Sequence, residues 1–257
     1  MIAQAIAFNL FLAFFPTLLI AVGLATSPIG GRTALFDLIS DLTSFLPPGS
    51  QQIVSEFLVK RGPEAWKWAL VGLGGTLLAG TQVMKLLMEG IHTIYGDRER
   101  PGFFARQLRA MALLVLVIAP LLVAAILGVF GRPLRNWLAL EFGKDTSVQA
   151  WWAVFFHGVA ILLAMAAVTV IYRWARPKQQ SLMSVLPGAL IATLLWWAAD
   201  ISFGFYVRKM PYGIIYGGLA AVIGLLIWME LSTVIIFLGA AWNAELAESR
   251  KGARALG

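Results

Sequence analysis

AMALLVLVIAPLLVAAILGVF, residues 110–130, decides the class of this protein. The stretch has no charged side chain and no alternation of polar with apolar residues. At about 1.5 Å of rise per helical residue it reaches across the roughly 30 Å hydrocarbon core of a bilayer. In that solvent a backbone must satisfy its own N–H and C=O groups. A continuous apolar run of this length does so as a helix, whereas a barrel strand would be shorter and would alternate.

Five further runs of the same character lie on either side, at about 2–25, 68–95, 150–172, 185–207 and 214–242. The fold class expected is therefore all-α, a polytopic integral membrane protein of six transmembrane helices forming one domain over 1–257. Composition agrees: 60% of the 257 residues are hydrophobic and 13% are charged, against about 45–50% and about 25% in soluble domains. Too little polar side chain exists to cover a water-facing surface. Rings also mark the span ends, where a half-buried aromatic meets the headgroups. Tyr95, Tyr172, Tyr206, Tyr212 and Tyr216 fall there, as do Trp66, Trp68, Trp137, Trp151, Trp152, Trp174 and Trp242, leaving Trp196, Trp197 and Trp228 inside.

An even number of spans puts both termini on one side. Basic residues cluster close to span ends after span two (Arg98, Arg100, Arg106, Arg109), after span four (Arg173, Arg176, Lys178) and at the C-terminus (Arg250, Lys251, Arg254), whereas those of the opposite face are dispersed. The positive-inside rule then places both termini in the cytoplasm of a bacterial inner membrane. Met1 runs directly into apolar span without a basic flank, so a missing upstream segment is expected; the run is too long for a cleavable signal peptide. The first external loop carries an amphipathic segment at about 31–60. Leu35, Leu38, Ile39, Leu42, Phe45 and Leu46 recur at helical spacing, Pro47-Pro48-Gly49 interrupts, and Ile53, Val54, Phe57 and Leu58 resume. Packing as a lid on the bundle, lying in the headgroup plane and contacting a ligand are all open to it.

Several chemistries are excluded or unsupported. With no Cys, disulfides, thiolate metal sites and cysteine nucleophiles are ruled out. His92 and His157 lie on different spans, no HExxH occurs, and no phosphate-binding glycine loop is present, so no metal, no cofactor and no enzymatic activity is expected. The net charge of +7 is divided among loops on both faces and forms no nucleic-acid stripe. Anionic lipid headgroups are the partners such basic span ends suit. Whether the chain forms a homo-oligomer is left open.

Polar side chains within spans carry the functional information, because a charge at mid-bilayer costs about 2.5–3.5 kcal/mol unless it finds a partner or water. Gln82, Lys85, Glu89 and His92 are spaced by three, four and three residues, which places them on one stripe of span two. Either a local Lys85/Glu89 pair or the lining of a polar path accounts for it. Asp200 on span five and Glu230 midway along span six complete the candidate transport path. A Lys85–Glu230 pair, or a water cavity shared by the two, would satisfy both charges.

The chain also resembles the YihY/BrkB family of inner-membrane proteins, once labelled ribonuclease BN. The resemblance rests on Ala5-Ile6-Ala7-Phe8 running to Phe15-Pro16, on Ile94-Tyr95-Gly96, and on Leu186-Pro187-Gly188-Ala189. It is most specific in Ile215-Tyr216-Gly217-Gly218-Leu219 continuing to Gly239-Ala240 and Asn243-Ala244-Glu245. It implies a six-span bundle with cytoplasmic termini, an amphipathic segment before span one, and no established catalytic residue. It also implies a link to envelope integrity and a proposed role in moving lipids. Two positions depart from the family pattern: Ala241 follows Gly239-Ala240 where the family has Glu, and Glu230 stands two after Trp228 where an aromatic is common. Three functions are thus weighed: a transporter or flippase of an amphiphilic anionic lipid, a non-transporting structural protein of the envelope, and, least supported, a ribonuclease.

Overall fold

A computed structural model describes residues 1–25, 65–97, 102–120, 123, 146–176, 180–209 and 218–255. Their regular structure is entirely helical: α1 Ile2–Ala25, α2 Ala65–Ile94, α3 Phe103–Pro120, α4 Thr146–Trp174, α5 Leu182–Lys209 and α6 Gly218–Ala255. Four stretches are long and apolar enough to cross a membrane, namely Ala69–Ile94, Phe103–Pro120, Leu182–Tyr206 and Val222–Arg250. Ile2–Thr17 and Gly158–Trp174 are shorter apolar helical stretches. Between 17% and 28% of each long window is buried within the protein, so most of its apolar surface faces outward, as a lipid solvent requires. The external amphipathic segment at 31–60 lies outside the described residues.

Two boundaries differ from the hydropathy reading. α3 begins at Phe103 rather than near Ala110, and so takes Arg106 and Arg109 into its first two turns. α6 runs on to Ala255, well past Trp242. Hydropathy marks where a chain enters hydrocarbon, whereas a helix continues as long as its backbone is hydrogen-bonded, and Arg is a good helix former.

The described helices group into two compact units, Met1–Leu86 with Ala199–Thr233, and Leu87–Ala198 with Val234–Gly257. In the first, Pro16 of α1 meets α2 at two glycines. A Cβ on Gly72 would overlap the Pro16 carbonyl oxygen, and one on Gly75 would strike the Pro16 ring. The hydroxyls of Thr17 and Thr76 stand 3.2 Å apart beside this contact. Phe203 of α5 packs against Trp228 of α6 with ring centroids 5.4 Å apart.

In the second unit α5 and α6 touch backbone to backbone. A Cβ on Gly188 would overlap the Gly239 carbonyl oxygen, and one on Gly239 would overlap the Gly188 carbonyl and the Tyr172 hydroxyl. Ala189, Ala192 and Ala240, all buried, extend the contact, the small-residue packing that allows helices to approach closely in lipid. Asn243 then ties the helices together. Its Oδ1 accepts from the Gly188 N–H at 2.7 Å and its Nδ2 donates to the Val185 carbonyl at 3.0 Å. Pro187, lying between them inside α5, has no N–H and disturbs the local helical ladder, which is where an external amide becomes useful. The Tyr172 hydroxyl donates to the Ile236 carbonyl at 2.6 Å. With 2% of its surface exposed, Tyr172 is a buried strut and not the headgroup anchor its position near a span end suggests. Its hydroxyl finds an acceptor inside the protein, so it has no need of the wet interface.

Candidate functional site

The site begins with the end of α2. Gly96 has φ +65°, which glycine adopts without the clash of a Cβ. The Gly96 N–H bonds the Thr93 carbonyl at 3.2 Å and the Asp97 N–H bonds the His92 carbonyl at 3.0 Å. This is a Schellman motif with glycine in the left-handed position just beyond the helix. The Ile94-Tyr95-Gly96 motif thus has a physical role: it stops α2 and fixes the direction in which Asp97 leaves it.

Asp97 receives Arg176, which follows the end of α4, through a two-pronged pair, Nε to Oδ2 at 2.6 Å and Nη2 to Oδ1 at 2.5 Å. The same guanidinium lies 4.1 Å from the centre of the Tyr95 ring. Parallel hydrogen bonds of this kind fix orientation as well as distance. One turn back along α2, His92 Nε2 lies 2.9 Å from the Ala175 carbonyl oxygen, a second tie between α2 and the chain after α4. Glu89 pairs with Arg106 of α3 at 2.9 Å. Both side chains of that pair remain about 40% exposed, so it contributes no more than about 1 kcal/mol.

These groups surround a cleft of about 270 Å³ lined by Met88, Glu89, His92, Thr93, Gly96, Asp97 and Arg106. Two more arginines belong to the same end of the unit. Arg109 lies one turn beyond Arg106 and close enough to His92 for its charge to bear on the imidazole. Arg173 is in the last turn of α4. Arg109 Nη1 and Arg173 Nε are buried without a hydrogen-bond partner. Among the described residues no three of His, Asp and Glu converge in a manner suited to a metal ion.

The sequence-derived candidates are distributed unevenly. The buried face of α2 consists of Thr81, Val83, Met84, Leu87, Met88 and Ile91. The polar stripe lies beside that face and does not fill it, because apolar side chains occupy the most buried positions at lowest cost. Glu89 and His92 line the cleft. Lys85 is partly buried, and Gln82 is exposed. On the other helices Asp200 is exposed and Glu230 partly buried. Among the described residues no ion pair joins Lys85 to Glu89 or to Glu230; the partner of Glu89 is Arg106. Reading the sequence missed that Arg106 pairs with Glu89 and Arg176 with Asp97 at one cleft. The clustering of arginines near two span ends was the available signal, but hydropathy treats it only as a topology marker.

Fold and site together define a helical integral membrane protein with a polar cleft, lined by Glu89, His92, Asp97 and Arg106, at the ends of its helices. Residues 1–256 match the family described as Virulence factor BrkB, and the chain belongs to that family. A UPF0761 membrane protein of Alkalilimnicola ehrlichii is 28% identical, over 95% of this chain and 54% of its own. Another from Aliivibrio salmonicida is 26% identical, over 81% of this chain and 65% of its own. The Bacillus subtilis protein YfkH, which carries a ribonuclease-like name, is 31% identical over 70% of this chain and 66% of its own. The chain thus spans about half to two thirds of the length of these relatives. No solved structure matches it.

Proposed function

We propose that this protein is a six-span inner-membrane protein with cytoplasmic termini that carries an anionic, amphiphilic envelope lipid between leaflets. The observation that carries the reading is the polar cleft at the ends of otherwise apolar helices, lined by Glu89, His92, Asp97 and Arg106 with Arg176 on Asp97, a place where a headgroup can be held while its chains stay in hydrocarbon. Glu89 and His92 stand at that cleft, and Gln82, Lys85, Asp200 and Glu230 are the further polar positions a headgroup or water could use. A ribonuclease role has little support: the ribonuclease-like name belongs to a relative, and the described residues offer no metal-binding cluster.

One observation favours the structural alternative. Asp97, Glu89 and His92 are all engaged in contacts that tie α2 to α3 or to the end of α4, as expected if the polar groups serve only to hold helices. Proteoliposomes separate the two readings. A carrier accelerates the leaflet-to-leaflet transfer of a labelled phosphatidylglycerol above empty vesicles; rates equal to empty vesicles with correctly folded protein would favour the structural reading. Reporters fused after Lys178 and after Arg254 are expected to behave as cytoplasmic, and the opposite pattern would invert the topology.

A further inference from the structure

Three side chains near the end of α2 line the cleft, and what each can still offer follows from the bonds it already makes. Glu89 uses one carboxylate oxygen, Oε2, for Arg106 Nη2 at 2.9 Å, and among the described residues nothing bonds its Oε1. Thr93 donates its hydroxyl proton to the Glu89 carbonyl at 2.9 Å, so its oxygen is left only to accept. The Ala175 carbonyl, 2.9 Å from His92 Nε2, can accept and never donate. The proton of a neutral His92 ring therefore sits on Nε2, and Nδ1 remains an acceptor.

Positions 89, 92 and 93 are spaced i, i+3 and i+4, neighbours on one helix face, and all three border the cleft. The cation lining it is Arg106, held by Glu89 through one nitrogen, with Nε and Nη1 uncommitted among the described residues. Both side chains of this pair are about 40% exposed, so a ligand reaches them without first breaking a buried contact.

An anion alone suits this lining poorly. Glu89 and Asp97 are carboxylates, and three free acceptors beside one guanidinium call for a ligand that donates as well as accepts. A primary ammonium has three N–H donors and no acceptor, while phosphate oxygens meet guanidinium N–H groups in parallel pairs. At about 270 Å³ the cleft falls just short of the roughly 300–1,000 Å³ of small-molecule pockets, room for a headgroup and not for the chains attached to it.

We infer that the cleft binds a phosphate ester carrying a primary amine, its ammonium among Glu89, His92 and Thr93 and its phosphate on Arg106, as in phosphatidylserine and phosphatidylethanolamine. The inference rests on the reading of the cleft as a headgroup site and adds a requirement to it: of two equally anionic lipids, the cleft prefers the one with the amine.

The test titrates the purified full chain in non-ionic detergent with dioleoyl lipids and follows binding by native mass spectrometry. Phosphatidylserine and phosphatidylglycerol carry the same net charge and differ in the amine, whereas phosphatidylethanolamine and phosphatidylcholine differ in having N–H donors or none. Phosphatidylserine is expected to bind about tenfold more tightly than phosphatidylglycerol, the scale of a hydrogen bond to a charged group, and phosphatidylethanolamine more tightly than phosphatidylcholine. Glu89→Gln should bring the first ratio close to one. Should that variant fail to fold, Thr93→Val, at an exposed position, is expected to lower the same ratio by about threefold. Arg106→Gln should weaken phosphatidylserine and phosphatidylglycerol by the same factor, because the phosphate is common to both.

Equal binding of phosphatidylserine and phosphatidylglycerol would overturn the amine requirement and leave a headgroup site standing, whereas no binding of any of the four lipids would overturn the headgroup reading as well. Choline bound as tightly as ethanolamine would overturn the hydrogen-bonded ammonium. Soluble phosphoethanolamine bound as tightly as its lipid would keep the site and overturn its assignment to a lipid. A transport assay can fail without affecting any of these outcomes.

Discussion

Two helix crossings in this protein are built on glycine and differ in what surrounds the glycine. Where α1 meets α2, Gly72 and Gly75 admit Pro16, and the hydrogen bond nearby is an exposed one between two threonine hydroxyls. Where α5 meets α6, Gly188 and Gly239 admit each other's carbonyls, and Asn243 and Tyr172 add three hydrogen bonds across helices, the two of Asn243 buried. Close approach alone brings dispersion contact, which any matching pair of small residues supplies. Directional bonds from a buried amide and a phenol select one register. The second crossing is therefore held in one geometry, while the first could slide along its helix at less cost.

That comparison can be broken at several points. The largest effect is expected at Gly188→Leu, because the new side chain meets the Gly239 backbone and the tied Asn243 amide at once. Size-exclusion chromatography in detergent should show loss of monodisperse protein. Gly72→Leu meets one carbonyl and two side chains of α1, and the same assay should recover folded protein with a lowered unfolding midpoint. If the two variants behave alike, the distinction between the crossings fails.

Asn243→Leu keeps nearly the same shape but leaves the Gly188 N–H and the Val185 carbonyl without their partner. A loss of about 2–3 kcal/mol is expected in equilibrium unfolding, at the upper end for buried groups left unsatisfied. Tyr172→Phe removes one donor from a carbonyl on α6 and should cost about 1 kcal/mol, the scale of interhelical hydrogen bonds in lipid. Thr17→Val, at the exposed hydroxyl pair, should stay within about 0.5 kcal/mol of wild type by the same measurement. A Thr17 effect as large as that of Asn243 would show that register is held by polar contacts at both crossings.

The site sharpens the same lesson. Gln82, Lys85, Glu89 and His92 follow a helical spacing that anyone can read from the chain, and the structure does put Glu89 and His92 at one cleft. Their partners were not legible. Arg106 lies 17 residues from Glu89, and Arg176 lies 79 from Asp97, so neither pair follows from any helical period. The Asn243 tie spans 55 residues to Gly188. Its only local sign was a Pro-Gly step within an apolar run.

The sequence by itself determined that this chain is helical and lives in a membrane. Continuous apolar runs of about 20 residues allow no other backbone that satisfies its own hydrogen bonds in hydrocarbon. It also determined where α2 stops, since Gly96 is the residue that takes a left-handed turn without strain. Only the tertiary structure decided that Glu89 belongs to Arg106, that Asp97 belongs to Arg176, and that Tyr172 is a strut and not an anchor. Those outcomes depend on which helices are neighbours and at what height they meet. In lipid, neighbours are chosen by small-residue packing and hydrogen bonds between distant positions, and an average of hydropathy along the chain holds no record of either.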